Sequence, residues 1–173
     1  MKLFGILSVL CISTTLAMAQ GVQVGSALPD IRLLDQEDRM VSLKEMAADR
    51  PAVIYFYPKD DTPGCTAEAC AFRDRYEEFM EAGAVLIGIS SDGAASHRSF
   101  AQKHQLPFPL LSDPQRLAQK KFAVPTDLLG LLPGRVTYVF DANGICTGIF
   151  NSQLQATRHV EESLSMLNKS AVH

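Results

Sequence analysis

Residues 52–82 open with Ala52-Val-Ile-Tyr-Phe-Tyr57, continue through Pro58-Lys-Asp-Asp-Thr-Pro-Gly64, and run on as Cys65-Thr-Ala-Glu-Ala-Cys-Ala-Phe-Arg-Asp74 towards Ala82. The first block is continuously apolar, β-branched and aromatic, the pattern of a strand buried on both faces. The second is a loop by its Pro, Asp and Gly content. From Cys65 onward, apolar residues recur at Ala69, Phe72, Tyr76 and Phe79 with charges between them, which predicts a helix over 65–82. Cys65 then lies in the first helical turn, beyond the carboxyl end of a buried strand, where open α/β sheets place their sites.

Short extended pieces are expected at 30–34 and 39–41, around the turn Asp35-Gln-Glu-Asp38. Ser42-Leu-Lys-Glu45 has capping-box spacing and opens a short helix. Strands are predicted at 85–90, 109–111, 136–141 and 145–150, the last two joined by the hairpin turn Ala142-Asn-Gly144. Helices are predicted at 95–104, 115–122 and 157–168. The order β-α-β-α-β-α-β-β-α implies one α/β domain, a mixed central sheet flanked by helices, over residues 20–173.

The first nineteen residues differ from the rest. A positive start at Met1-Lys2, an apolar run from Leu3 to Ile12 and the small-x-small triplet Ala17-Met-Ala19 form the layout of a cleaved secretory signal peptide. The run is too short for an ordinary transmembrane helix. Leu10 before Cys11 argues against a lipoprotein site. Export is the expected destination; an uncleaved apolar helix and a plastid-directed leader are the alternatives.

The 173-residue chain is 47% hydrophobic and 20% charged with a net charge of −3, a composition suited to one soluble domain. Removing residues 1–19 takes away one lysine and no acid. With no basic face, neither nucleic acid nor an anionic membrane is expected as partner.

Of the four cysteines, Cys65, Cys70 and Cys146 remain after cleavage, so at least one thiol stays unpaired. A thiol attacks only as thiolate, and a helix N-terminus favours that form through free N–H groups and partial positive charge. Pro58 and Pro63 stiffen the loop before Cys65, Gly64 permits close backbone approach, and the Thr62 hydroxyl sits three residues before the sulfur. The bland alternative is a buried helix-start cysteine. Cys70 lies five positions on, at roughly 8–9 Å between Cα atoms in a helix, whereas a disulfide needs less than about 7 Å. Bonding therefore requires the helix to unwind, and a cycling pair is favoured over two independent free thiols. C-x₄-C without a second ligand pair argues against zinc. Cys146 reads as a small packed residue, Asp60 and Asp61 as loop-solvating carboxylates, and His97 and His104 as surface residues of one helix face. Arg73 is a candidate supporting residue on the Cys65 helix.

Pro58-x-x-x-Thr62-x-x-Cys65 resembles the active-site signature of peroxiredoxins, and Thr62-Pro-Gly-Cys-Thr-Ala-Glu-Ala-Cys-Ala-Phe-Arg-Asp74 resembles the Q-type branch, also called bacterioferritin comigratory protein. The likeness extends through 85–92, 106–113 and 132–141, covers roughly 22–168, and is nearer to plant-type members. It implies a thioredoxin-like fold and a thiol-dependent peroxidase acting on hydrogen peroxide or organic hydroperoxides. Cys65 would be the peroxidatic cysteine, oxidised to sulfenic acid. Cys70 would resolve it as an intramolecular disulfide, reduced in turn by thioredoxin or a thioredoxin-like protein. Arg135 would hold the thiolate and polarise the peroxide, Thr62 would orient the peroxide, and Pro58 would shield the sulfur. No cofactor is implied, and a monomer is expected.

Three rivals fit less well. A thiol–disulfide oxidoreductase needs C-x-x-C, but Glu68 stands three after Cys65; a copper-delivery protein uses C-x-x-x-C, but Ala69 stands four after it. A structural, chaperone-like or redox-sensing module leaves Arg135 and Thr62 without a role.

Overall fold

A computed structural model describes residues 21–127 and 132–170; the leader expected over 1–19 lies outside them. Strands β1 (Arg32–Asp35) and β2 (Met40–Ser42) precede α1 (Leu43–Met46), where the Ser42 hydroxyl accepts from the Glu45 N–H at 3.3 Å, one half of the capping box, while the Glu45 carboxylate pairs with Arg32 instead. Then come β3 (Ala52–Phe56), α2 (Pro63–Asp74), α3 (Tyr76–Glu81), β4 (Val85–Ser90), α4 (Ala94–His104), β5 (Leu110–Ser112) and α5 (Leu117–Phe122). A small ribbon of β6 (Thr126–Asp127) and β7 (Leu132–Pro133) leads to β8 (Val136–Phe140), β9 (Cys146–Asn151) and α6 (Arg158–Ser170).

The main sheet has the order β2-β1-β5-β4-β3-β8-β9. β3, β4 and β5 run parallel, and the strands outside them pair antiparallel. This is the mixed sheet that the chain order implied, arranged as in the thioredoxin-like fold that the family resemblance implied. β3 lies inside the sheet between β4 and β8, is buried throughout, and its period-two alternation divides the core. Val53, Tyr55 and Tyr57 face a cluster built with Phe72, Phe79, Phe100, Val160 and Leu164, so α2, α3, α4 and α6 cover that side. Ile54 and Phe56 face the other side, with Leu43, Ala118, Phe122 and Tyr138.

Several boundaries move for physical reasons. The helix predicted over 65–82 is two helices, because Arg75 leaves helical geometry at φ −115°, ψ 18°. The apolar stripe runs on across that break, so periodicity does not register it. β5 starts one residue late because Pro109 has no N–H for the ladder; its carbonyl still accepts from Gly88 N–H at 3.0 Å. α5 starts at Leu117, since Arg116 is left-handed and the Asp113 carboxylate caps the N–H groups of Leu117 (2.6 Å) and Gln119 (2.9 Å). The β6–β7 ribbon has no alternating pattern and was not foreseen. Just beyond it, Gly134 donates to the Pro125 carbonyl at 2.6 Å, and a Cβ there would collide with that oxygen. A glycine is needed to bring the chain into β8 beside Arg135.

Candidate active site

β3 delivers the chain to the loop 57–62, and α2 opens with Thr62 as N-cap and Pro63 in its first turn. Proline suits that position because its missing N–H has no helical partner there. Cys65 follows two residues later and is 2% exposed. Its sulfur lies 3.5 Å from Arg135 Nη2, a contact across 70 residues made by the β3–β8 pairing. A Cβ at Gly64 would sit 3.2 Å from that same nitrogen, so the glycine keeps the guanidinium's approach open.

Arg135 is fixed on every side. Its Nη1 donates to Glu68 Oε2 in a buried ion pair, its Nε to the Gln153 carbonyl at 3.4 Å, and its backbone N–H to Gln153 Oε1 at 2.9 Å. Burial works against the guanidinium's charge, but Glu68 and then Cys65 hold Arg135 above its usual range. Burial pushes the Glu68 carboxyl up, to about 8, against the pull of Arg135. Behind the pair stands His159 of α6. Its Nε2 donates to the Ser152 carbonyl at 2.9 Å, which leaves Nδ1 to accept from the Thr137 hydroxyl at 2.8 Å. Burial pulls its pKa down to about 4, so this ring is neutral. The Tyr55 hydroxyl of β3 is buried without a hydrogen-bond partner among the described residues; burial, then Glu68, raise it well above the usual tyrosine range.

Glu68, His159, Tyr55 and Gln153 were not among the sequence candidates. Glu68 had a signal: it lies with Cys65, Ala69 and Phe72 on the buried stripe of α2, where a carboxylate requires a partner.

The loop carries its own network, which corrects two expectations. Asp60 does not solvate the loop; it is 6% exposed and accepts from Tyr57 and Ser96 hydroxyls, both at 2.7 Å, and from His97 Nδ1 at 2.9 Å. Burial raises its carboxyl, but His97 and the hydroxyls outweigh that and hold it below the usual range. His97 is no surface residue; it is fully buried, and its Nε2 reaches the Leu111 carbonyl at 3.2 Å. It shares the stripe of Phe100 and Ala101 on α4, three and four residues away. The network ties the loop to α4.

Of the other candidates, Pro58 opens the loop half-buried. Thr62 donates its hydroxyl to the Lys59 carbonyl at 3.0 Å and makes no side-chain cap bond, so the structure brings it near the site without bonding it to the sulfur. Cys70 is a half-buried free thiol on the next turns of an unbroken α2, and its Sγ lies 3.9 Å from His104 Nδ1. His104 is also less exposed than expected: its side chain is 18% exposed, and its Nε2 lies 3.4 Å from Asp61 Oδ1. Asp61 itself stays exposed, paired with Lys103 at 2.7 Å. Arg73 bonds the His104 carbonyl at 2.7 Å and Asp74, so it serves the Cys70 side of α2 and not Cys65. Cys146 packs on the opposite sheet face from Cys65, and burial pushes its thiol up to about 11, as suits a packed residue.

Residues 24–149 match the AhpC/TSA family. The chain is 54% identical over 146 residues to the chloroplastic peroxiredoxin Q of rice, Oryza sativa subsp. japonica, an alignment covering 84% of this chain and 67% of that protein. Among solved structures it resembles peroxidoxin BcpB of Mycobacterium tuberculosis, with TM-score 0.79, 35% identity, and 86% and 97% of the two chains covered. Peroxiredoxin Q of Xanthomonas campestris superposes with TM-score 0.78 at 29% identity, covering 89% of this chain and 99% of that one.

Proposed function

The chain belongs to the AhpC/TSA family as a Q-type peroxiredoxin, a thiol peroxidase, and on that premise we propose that Cys65 is the thiolate that attacks the peroxide. The observation that carries this reading is the buried Arg135 Nη2 at 3.5 Å from the Cys65 sulfur in the first turn of a helix. In the reaction the sulfur's electron pair forms the S–O bond as the O–O bond breaks. The departing alkoxide or hydroxide takes the proton that the thiol gave up, so thiol and hydroperoxide become sulfenic acid and an alcohol or water. Arg135 supplies a donor and a positive charge where negative charge develops, already oriented by Glu68 and Gln153. Thr62 turns its hydroxyl from the Lys59 carbonyl to the peroxide, and Pro58 covers the sulfur.

Cys70 then displaces water from the sulfenic acid to form an intramolecular disulfide. The five-residue spacing on α2 requires the first turns to unwind. A thioredoxin-type reductant restores the two thiols. Residues 1–19 act as a targeting leader; the chloroplastic relatives favour a plastid destination over export. The enzyme works as a monomer.

Peroxide consumption coupled to a thioredoxin system tests this reading. Cys65→Ser is expected to abolish turnover. Cys70→Ser is expected to consume one equivalent of hydrogen peroxide and stop, with the sulfenic acid trapped by dimedone. Normal turnover by Cys65→Ser would overturn the assignment.

A further inference from the structure

Cys70 faces a side-chain arrangement that the peroxide reaction does not use. His104, the last residue of α4, points Nδ1 at the Cys70 sulfur (3.9 Å) and Nε2 at the Asp61 carboxylate (3.4 Å). An ionised carboxylate only accepts, so Asp61 selects the tautomer with the proton on Nε2. The Nδ1 lone pair is then the atom facing the thiol. The ring is steadied by the Phe100 ring at 4.9 Å between centroids, and the His104 carbonyl is held by Arg73. The charged groups facing it are Asp61 from the loop, Arg73 from α2 and Lys103 from its own helix, the last engaged with Asp61 at 2.7 Å.

We propose that His104, oriented by Asp61, is the base that takes the proton from Cys70 as that thiol resolves oxidised Cys65. The proposal rests on the resolving role assigned to Cys70. The proton passes from Sγ to Nδ1 while α2 is still folded, and Arg73 attends the thiolate. The freed thiolate attacks the Cys65 sulfur as the helix opens. An S–S bond forms, the S–O bond breaks, and the oxygen leaves as water with a proton returned by the imidazolium. One sulfenic acid and one thiol give one disulfide and one water, with no outside oxidant. Nucleophile, imidazole and carboxylate here stand in the relation used by hydrolytic triads, applied to a thiol that must attack sulfur.

The test separates the two chemical steps by acid quench after mixing with hydrogen peroxide, followed by thiol alkylation and intact mass. In His104→Asn, disulfide formation is expected to slow at least ~10-fold near about pH 7, and the deficit should close towards about pH 9.5, where a thiol ionises unaided. The first reaction with peroxide, in which His104 has no part, keeps its rate and reports the fold. Asp61→Asn should slow the same step by a smaller factor; its exposed position lets it carry the test if His104→Asn does not fold. A disulfide rate in His104→Asn equal to or faster than wild type would overturn the proposal, as would a deficit that stays constant with pH. Cys70→Ser is the control for the underlying reading. If it still forms an intramolecular disulfide, the resolving role itself fails; if it does not, an unchanged His104→Asn rate defeats the base alone.

Discussion

The two faces of α2 carry the two thiols in opposite surroundings. On the inner face Cys65 is buried beside the Arg135–Glu68 pair, whose side chains are 5% and 0% exposed. On the outer face Cys70 sits with His104, and the neighbouring Lys103–Asp61 pair is 62% and 49% exposed. Five residues of helix turn a side chain by about 140°, which is enough to move a thiol from one regime to the other. Among the buried inner groups any charge is costly to leave unpaired; on the exposed outer face ion pairs are cheap. On the proposed assignment, the contrast accounts for one helix holding both steps: the inner side would give a preorganised field for peroxide, and the outer side would let Cys70 leave its partners at small cost.

The most severe way to break the contrast is to remove the inner cation. Arg135→Met is expected to lower the second-order rate with hydrogen peroxide by about 10²–10³-fold, measured by competition kinetics. Because the raised Glu68 carboxyl is left buried as a neutral acid without its donor, urea unfolding should register a loss of about 1–3 kcal/mol. Adding Glu68→Leu should restore most of that stability without restoring the rate. Restored activity in the double variant would mean that the pair is structural only.

The inner face also titrates, in two directions. The folded Glu68 carboxyl is raised from 4.5 to about 8, so the native state holds this proton more tightly than the unfolded chain. Its contribution to stability is full below about 4.5 and is lost as pH rises to about 8, by at most ~1.4 kcal/mol per pH unit. His159 is lowered from 6.5 to about 4, so its contribution is full above about 6.5 and is lost as pH falls towards 4. Glu68→Gln should flatten the alkaline fall in stability, and His159→Gln should flatten the acid fall, both read from denaturant midpoints across pH. If neither limb changes, the inner face is wetter than its burial indicates, and the comparison with the outer face weakens.

How far these faces were legible in the sequence follows from what each residue's role depends on. Cys65 was legible because a buried-strand pattern, a proline-glycine loop and a helix start are local. Spacing made Cys70 legible as a candidate partner of Cys65, and only the family motif suggested its resolving role. Arg135 carried no local signal beyond a strand entrance; only the family motif pointed to it, since its partners are brought together by β3–β8 pairing. Glu68 and His97 broke the apolar stripes of α2 and α4 and could have been read as buried from that fact. Their partners are 67 and 37 residues distant, and no period predicts those. His159 owes its neutral state to packing against β8 and the chain after β9, which is wholly tertiary.

The smallest expected effect lies on the outer face and sharpens the contrast most directly. Lys103→Ala removes the ammonium from Asp61 at 2.7 Å, between side chains that are both well exposed. Exposed pairs of this kind are worth about 0–1 kcal/mol, because water screens the charges and two long side chains lose freedom. The variant should therefore unfold within about 1 kcal/mol of wild type, and salt should shrink the difference further. A loss comparable to that of Arg135→Met would place the outer face in the same dry regime as the inner one. Cys70 could not then leave its partners at small cost, and the division of labour between the two faces of α2 would fail.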